Sequence, residues 1–202
     1  GGNFNHISGT TGISAVTLAQ AAMRWVVFDA ALTLTHSVNL ILPNSLDITT
    51  VAGDCALLVG EGSGVTRLLW YRCVDGKPLI ENGDYQFAGS DESTNLTTGT
   101  AKVTFRMPWT IYLDQLPIGS LSVAQTAGSL LAFDINVSAV SIFSTVLTID
   151  NNELDSSTAA TPAVLSTTSI TAGATVPFDI DTVGTAGARG AKVLLRGYRR
   201  NR

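Results

Sequence analysis

The most constraining feature of this 202-residue sequence is a repeated pattern of short apolar runs separated by turn formers. Thr, Val, Ile, Leu and aromatic residues recur in these runs, and Gly, Asn, Asp or Pro interrupts them. β-Branched and aromatic residues favour strands, whereas the interrupting residues favour turns. One segment, Thr17–Arg24, is compatible with a helix of two turns, which is marginal when isolated. The pattern therefore predicts an all-β chain.

The sequence of the first 80 residues predicts a series of short strands that follow one another closely. The strands we expect are 25–28, 32–35, 39–42, 46–50, 56–59 and 67–73. The Gly-rich segment 60–64 is interpreted as a hairpin loop, because no Lys follows it as in a phosphate-binding loop. Short strands of this kind rely on neighbouring units to bury a face. We therefore expect a shaft-like β region over residues 1–80.

The sequence predicts turns at 75–78 and 81–84, and we place a domain boundary between them. Beyond this boundary the predicted strands are longer. Segments 102–107 and 133–137 alternate apolar and polar residues, which places one face of each strand on a core. The expected strands are 85–88, 101–107, 110–113, 119–125, 131–137, 143–149, 163–170, 175–180 and 191–198. This strand count is typical of a β-sandwich. We therefore predict a jelly-roll-like sandwich over residues 81–202.

Low charge content suggests that the chain buries part of its surface against copies of itself. Charged residues make up 14% of the sequence, against about 25% in typical soluble domains. Hydrophobic residues make up 45%. An apolar surface with so few charges is typical of an interface. The sequence therefore favours a homo-oligomer.

Charge distribution argues against a nucleic-acid partner. The net charge is −4, and residues 81–188 carry two bases and eleven acids. Such a body repels phosphate. Residues 189–202 carry six bases and no acid. We interpret them as the outward residues of a last strand followed by a frayed, solvated end, with a phosphate or carboxylate contact as the alternative.

The remaining composition excludes two further classes. Cys55 and Cys73 form neither a disulfide framework nor a metal-ligand motif, which fits folding in a reducing compartment. No apolar run is long enough to span a bilayer, and no signal peptide is visible, so we expect no membrane insertion. The sequence begins with Gly rather than Met, as a fragment of a longer chain would.

The C-terminal part resembles a module found at the ends of bacteriophage tail fibres and related virion proteins. The matching segments are 102–108 (KVTFRMP), 121–126 (LSVAQT), 133–136 (FDIN), 147–150 (LTID), 159–162 (AATP), 179–181 (DID) and 191–197 (AKVLLRG). The N-terminal segments 28–36 (FDAALTLTH), 40–43 (LILP), 48–50 (ITT) and 52–54 (AGD) resemble the region that often precedes this module. The order and spacing of these pieces carry the resemblance.

The resemblance implies an intertwined homotrimer on the outside of a virion. It implies a protein that is made in the host cytoplasm, joins other phage tail proteins and attaches to a bacterial surface, commonly to polysaccharide. The family's host-contacting loops vary, so no binding residue is implied by motif. The leading hypothesis is a receptor-binding tail-fibre protein that is not an enzyme and needs no cofactor. The alternatives are a purely structural capsid-decoration or baseplate protein and a polysaccharide depolymerase.

Candidate catalytic and metal-binding residues are few. His6 and His36 lack a nucleophile motif nearby. A depolymerase would use two carboxylates across the sugar bond. The carboxylate candidates are Asp91, Glu92, Asp114, Asp134, Asp150, Glu153, Asp155, Asp179 and Asp181. Asp179 and Asp181 share a strand face, and we expect both to point to solvent while Phe178 and Ile180 enter the core. Segment 150–155 is interpreted as an Asx-rich turn rather than a calcium site, so we predict no metal.

Aromatic residues give the best candidate ligand site. A sugar presents an apolar C–H face and a polar rim, so it suits exposed rings beside carboxylate and amide groups. The predicted ligand patch comprises Trp109, Tyr112, Asp114 and Gln115. Segment 70–72 (Trp-Tyr-Arg) is a second cluster of this kind. In each, alternation should bury one ring and expose its neighbour.

Overall fold

The computed structural model describes residues 4–185 and 187–202, and it shows an all-β chain. The all-β prediction is therefore confirmed. Within the described residues the helical elements are two 3₁₀ helices, Pro43–Ser45 and Ser156–Thr158. The chain divides into two compact units. Unit 1 comprises Gly1–Glu81 and Arg200–Arg202, and unit 2 comprises Asn82–Arg199.

Unit 1 is built on a five-stranded sheet. Its strands are β1 (Phe4–Ile7), β2 (Met23–Phe28), β3 (Thr33–Leu34), β4 (Leu40–Ile41), β5 (Ile48–Thr49), β6 (Cys55–Gly62) and β7 (Val65–Arg72). The sheet order is β1-β2-β6-β7-β4, and β3 pairs separately with β5. The outer pairs β1–β2 and β4–β7 are parallel, whereas β2, β6 and β7 are antiparallel.

The β6–β7 hairpin confirms a turn within the loop predicted at 60–64, although β6 continues to Gly62 and β7 begins at Val65. Gly62 pairs with Val65, so Ser63 and Gly64 form a two-residue connection. Both have positive φ, at 51° and 79°. Two-residue hairpins whose twist matches the strands require positive φ at both central positions, which Gly tolerates best.

Unit 1 buries a core of its own. The buried residues on its sheet are Val26, Phe28, Leu40, Ala56, Leu58 and Leu68, and Leu32 and Ile48 from outside the sheet add to the core. Because this core lies within a single chain, the sheet does not need another copy to bury its inner face. The shaft-like stacking expected for residues 1–80 stays a prediction about assembled copies.

The candidate helix at Thr17–Arg24 does not form. Residues 17–20 have no regular structure, and β2 begins at Met23. The backbone of Ala21 and Ala22 instead exchanges hydrogen bonds with Gly60 of β6 (2.9 Å each), which extends the β2–β6 ladder by one step. Two helical turns are marginal alone, so pairing with an existing strand satisfies this backbone better.

Unit 2 contains several sheets around one core. Beyond β8 (Ile80–Asn82), its strands are β9 (Tyr85–Ala88), β10 (Gly99–Arg106), β11 (Ile111–Leu113), β12 (Ile118–Ser120), β13 (Leu131–Val137), β14 (Val140–Ser141), β15 (Phe143–Thr145), β16 (Leu147–Ile149), β17 (Val164–Leu165), β18 (Ser169–Ile170), β19 (Thr175–Thr182), β20 (Lys192–Leu195) and β21 (Gly197–Arg200). One sheet has the order β10-β19-β13-β14, with β16 also on β13; others contain β18-β11-β21, β12-β20-β9 and β15-β17.

The core of unit 2 draws on each of the three larger sheets. Phe133, Ile135 and Phe178 come from the first, Ile111 from the second and Val193 from the third, and all are almost completely buried. The alternating apolar residues of β10, β13 and β19 therefore face the core, as the pattern predicts. The expected strands 143–149 and 163–170 are each divided in two, because successive halves pair with different partners.

Candidate functional site

The predicted ligand patch at 109–115 is not a single surface. Ile111 and Leu113 of β11 are buried, so Tyr112 between them lies on the opposite, outer face. There Tyr112 stacks on its cross-strand partner Tyr198, with ring centroids 5.2 Å apart. Trp109, in contrast, packs against the core cluster. The two rings of the patch therefore do not share a face.

Trp109 is engaged in contacts within unit 2. Its ring meets Tyr85 edge-on at 5.9 Å, and its indole N–H donates to the Gly83 carbonyl at 3.2 Å. The Arg199 guanidinium lies 5.0 Å from the ring centroid, in cation–π range. Of the polar members, Asp114 and Gln115 are exposed, and the Gln115 side-chain oxygen accepts a hydrogen bond from Arg196. The binding role of this patch stays a prediction.

The second aromatic cluster shows the predicted alternation. Tyr71 is buried, whereas Trp70 is 40% exposed. Tyr71 stacks on Phe28, and its hydroxyl donates to Asp54 at 2.7 Å. Trp70 points to the other face of the unit 1 sheet.

A β-bulge decides which of these two rings is outside. Leu58 pairs with Leu68, but Leu57 pairs with Trp70, so Leu69 is an extra residue in β7. Such a residue reverses the alternation of everything that follows it. Leu68 is buried, Leu69 and Trp70 are exposed, and Tyr71 is buried again. The bulge therefore turns two large apolar side chains to the outer face.

The outer face of the unit 1 sheet carries a row of aromatic residues. Strand register aligns Phe4, Trp25, Leu57 and Trp70 across four neighbouring strands, and we call this set the aromatic row. Trp25 and Trp70 meet edge-to-face across Leu57, with centroids 5.4 Å apart. Phe4 and Trp25 are 59% and 42% exposed. Large exposed apolar patches mark interaction sites.

Polar groups flank the aromatic row on both sides. Arg72 lies two residues along β7 from Trp70, and within the described part of the chain its guanidinium has no hydrogen-bond or ion-pair partner. On the other side Arg67 pairs with Glu61 through two contacts of 2.5 and 3.3 Å. This charge-assisted pair raises the pKa of Arg67. The row therefore combines flat apolar rings with hydrogen-bonding groups at its margin.

Under the same sheet lies a buried polar cluster. Asp54 is fully buried, and both of its carboxylate oxygens accept hydrogen bonds from Arg202, at 2.7 and 2.8 Å. Burial alone would raise the pKa of Asp54, but the hydrogen bonds from Arg202, Tyr71, Val51 and Val74 outweigh it and lower the pKa. Desolvation and the Asp54 carboxylate raise the pKa of Tyr71. This cluster is saturated by its own contacts and is structural.

The Asp54 contacts correct the interpretation of the basic end. We expected residues 189–202 to end in a frayed, solvated segment, and this is wrong for its last residues. Arg202 binds Asp54, and the Asn201 amide donates to the Leu79 carbonyl at 2.9 Å. A buried carboxylate needs a paired charge, and Arg202 supplies it.

Carboxylates of unit 2 gather on the outer face of β13 and β19. Phe178 and Ile180 are buried while Asp179 and Asp181 lie on the other face, as predicted. Asp179 stands opposite Asp134, and the Asn136 amide donates to both, at 2.9 and 3.4 Å. Desolvation, then Asp134 and Asp179, raise the pKa of Asp181.

The remaining candidates have structural contacts. In segment 150–155 the Asp155 carboxylate caps the second 3₁₀ helix, and the Glu153 amide donates to the Asp150 carbonyl at 3.1 Å, which fits the predicted Asx-rich turn. Within the described residues no group of three His, Cys, Asp or Glu side chains is placed to hold a metal ion. His6 contacts Asp29 at 2.7 Å, and the His36 ring accepts from the Leu42 amide.

Sequence reasoning missed most of the aromatic row. It singled out segment 70–72 but not Phe4, Trp25 or Leu57, which lie far apart in the sequence. Trp25 was assigned to a strand, and its exposed face became visible only with the pairing of β1, β2, β6 and β7. The sequence does contain one signal for the outward position of Trp25. In β2, Met23, Trp25 and Val27 alternate with the buried Val26 and Phe28, so they lie on the opposite face.

Comparison with known proteins does not show which family the chain belongs to. No family model matches the sequence, and no curated protein matches it. Two solved structures of infectious bursal disease virus T=1 particles, one of a D431N mutant VP2 protein, share 12% identity with it. They align with 92% and 93% of this chain at TM-scores of 0.25 and 0.24, and likeness of this degree carries no argument. The chain spans about half the length of these chains, 55% and 53%. Among the described residues no helix is long and apolar enough to cross a membrane.

Proposed function

We propose that the protein is a non-enzymatic, receptor-binding part of a bacteriophage tail fibre, which attaches as a homotrimer to polysaccharide on the bacterial surface. The motif resemblance described above supports the virion role, together with assembly alongside other tail proteins after synthesis in the host cytoplasm. Low charge and high apolar content support self-association. The sheets of unit 2 around one core support a jelly-roll-like sandwich at the tip of the fibre.

The single observation that carries the binding proposal is the aromatic row. Flat rings on a sheet face match the apolar C–H face of a pyranose ring, and Arg72 beside Trp70 offers donors to its hydroxyl rim. Strand pairing holds the rings in place, which limits the entropy cost of binding an extended chain. A polysaccharide strand lying across the row would contact several rings in succession.

Trimerisation would turn a weak contact into firm attachment. A single sugar platform on an open sheet face binds weakly, because it does not enclose its ligand. Three linked copies raise the effective concentration of the second and third contacts, so avidity exceeds single-site affinity by about 10² or more. Reversible single contacts and stable overall capture are then compatible.

The test combines native mass with binding to purified host-surface polysaccharide. Light scattering behind a sizing column should give a mass near three chains. Trp70→Ala and Trp25→Ala should lower polysaccharide binding at least tenfold at unchanged mass. Leu154→Ala, at an exposed apolar residue of unit 2, is the matched control and should bind like wild type. Trp109→Ala tests the predicted ligand patch separately, since weaker polysaccharide binding by the folded protein would support a role for that patch.

Three outcomes would contradict the proposal. A mass of one chain would remove the multivalent mechanism. If Trp70→Ala abolished self-association, the aromatic row would be a subunit interface, and the purely structural virion role would be favoured. New reducing ends after incubation with polysaccharide would favour a depolymerase, with Asp134, Asp179 and Asp181 as the carboxylates to mutate.

A further inference from the structure

Unit 2 contains a small pocket with mixed lining. Its volume is about 200 Å³, and its lining includes Leu116, Pro117, Leu147, Thr148, Ser156 and Arg196. Pockets for drug-sized ligands are larger, roughly 300–1,000 Å³. This pocket therefore has the size for a single ring-sized group.

Arg196 brings a positive charge to this pocket that no acid compensates. Arg196 is half-buried, and its guanidinium donates to the side-chain oxygen of Gln115, a neutral acceptor. Among residues 4–185 and 187–202, no carboxylate lies within ion-pair distance of it. A guanidinium has five N–H donors, so most of its donor capacity is left for a ligand.

Ser156 adds a second donor. Its hydroxyl oxygen accepts a hydrogen bond from the Gly119 amide at 3.0 Å, which fixes the position of the side chain. Within the part of the chain that the structure describes, no acceptor takes the hydroxyl proton. The Oδ1 atom of the neighbouring Asp155 accepts from both the amide and the hydroxyl of Ser157 rather than from Ser156. The pocket therefore presents two donors beside apolar carbon.

We infer that this pocket binds a carboxylate-bearing sugar ring, such as a uronic-acid residue of an acidic polysaccharide. Arg196 matches a planar carboxylate through two parallel hydrogen bonds, the geometry that Arg favours. Ser156 donates to a further oxygen of the ligand, and Leu116, Pro117 and Leu147 pack against the C–H face. The inference rests on the proposed function for the sugar class, and it adds that the receptor is acidic.

The experiment compares two sugars that differ at one carbon. ¹⁵N-labelled protein is titrated with glucuronate and, separately, with glucose, and the amide signals of Leu147 and Ser156 are followed by NMR. Glucuronate should shift them with a dissociation constant on the order of millimolar, as expected for one small ring. Glucose should bind at least tenfold more weakly. Equal binding of the two sugars, or tighter binding of inorganic phosphate than of glucuronate, would overturn the inference.

Variants assign the effect to Arg196. Arg196→Met should weaken glucuronate binding at least tenfold, and Arg196→Lys, which keeps the charge, should retain part of the affinity. Arg106→Met is the matched control, because Arg106 donates to the Gly173 carbonyl and does not line the pocket. Wild-type affinity in a folded Arg196→Met protein would contradict the inference. Trp70→Ala should bind glucuronate normally. In the wild-type protein, glucuronate binding without polysaccharide binding would refute the proposed function alone, and polysaccharide binding without glucuronate binding would refute this inference alone.

Discussion

The outer faces of the main sheets of the two units carry different kinds of side chain. In unit 1, Phe4, Trp25 and Trp70 lie on the outer face of the sheet, and a polar cluster around Asp54 lies beneath it. In unit 2, Phe133 and Phe178 meet at 5.0 Å inside the core. The outer face of the main unit 2 sheet carries carboxylates instead. The same period-2 alternation thus produces an aromatic outer face in one unit and an acidic one in the other.

Charge follows the same division. Unit 1 contains six bases and six acids, whereas unit 2 contains six bases and ten acids. A neutral, aromatic sheet face has little electrostatic cost when it is covered by a ligand or a partner. An acidic face repels other acidic faces and stays hydrated. The comparison supports the proposals that the outer face of unit 1 is a contact surface and that unit 2 binds ligands in a confined pocket at Arg196.

The largest effect should come from truncating an inward aromatic residue. Phe178→Ala should lower the free energy of unfolding of unit 2 by about 4 kcal/mol, because it leaves a cavity between Phe87 and Phe133. Trp70→Ala, on the outer face of unit 1, should cost about 1 kcal/mol or less, mainly its contact with Trp25. Urea unfolding followed through NMR signals of each unit measures both. Equal losses of unfolding free energy in the two variants would contradict this difference between inward-facing and outward-facing aromatic residues.

An intermediate effect should come from the buried ion pair of unit 1. Arg202→Ala should destabilise unit 1 by about 3 kcal/mol, since it leaves the Asp54 carboxylate buried and unpaired. Lys192→Ala breaks the exposed pair with Glu92 in unit 2 and is the matched control, for which we expect little change. Thermal unfolding of the two variants tests this. A stable Arg202→Ala protein would mean that Asp54 is satisfied without a cation.

The pH dependence of the free energy of unfolding should test the contribution of Asp54 to stability. The pKa of Asp54 is lowered in the folded chain, so its contribution to stability is present above its unfolded pKa of about 3.9. That contribution is lost as pH falls through the lower folded pKa. The stability difference between wild type and Asp54→Asn should therefore shrink below about pH 4. A difference that stayed constant down to strongly acidic pH would contradict the assigned ion pair.

The smallest effect should come from the acidic face of unit 2. The pKa of Asp181 is raised, so its charged form disfavours the folded state at neutral pH, and this penalty is relieved as pH falls through the raised pKa. Asp181→Asn should thus be slightly more stable than wild type at pH 7, and the gain should disappear toward pH 4. Chemical unfolding at the two pH values measures it. A gain that grew on acidification would have the wrong sign.

Local alternation and turn chemistry determined much of the fold. The outward phase of Asp179 and Asp181, the inward phase of Phe133 and Ile135, and the hairpin at 60–64 follow from spacing and residue type, because a strand has two faces and a tight turn needs positive φ. These features depend on a few neighbouring residues. The sequence by itself was therefore enough to predict them.

Only the tertiary structure decided where the interacting side chains meet. The extra residue at Leu69 reverses the phase of β7, so Trp70 faces outward and Tyr71 inward, and no local pattern marks that bulge. Arg202 pairs with Asp54, although the two residues are 148 positions apart in the sequence. Trp109 and Tyr112 are close in sequence yet lie on different faces. Strand pairing joins residues that are far apart in the sequence, and so does the pairing of a buried carboxylate with a cation. The spacing of residues along the sequence does not show which of them will meet.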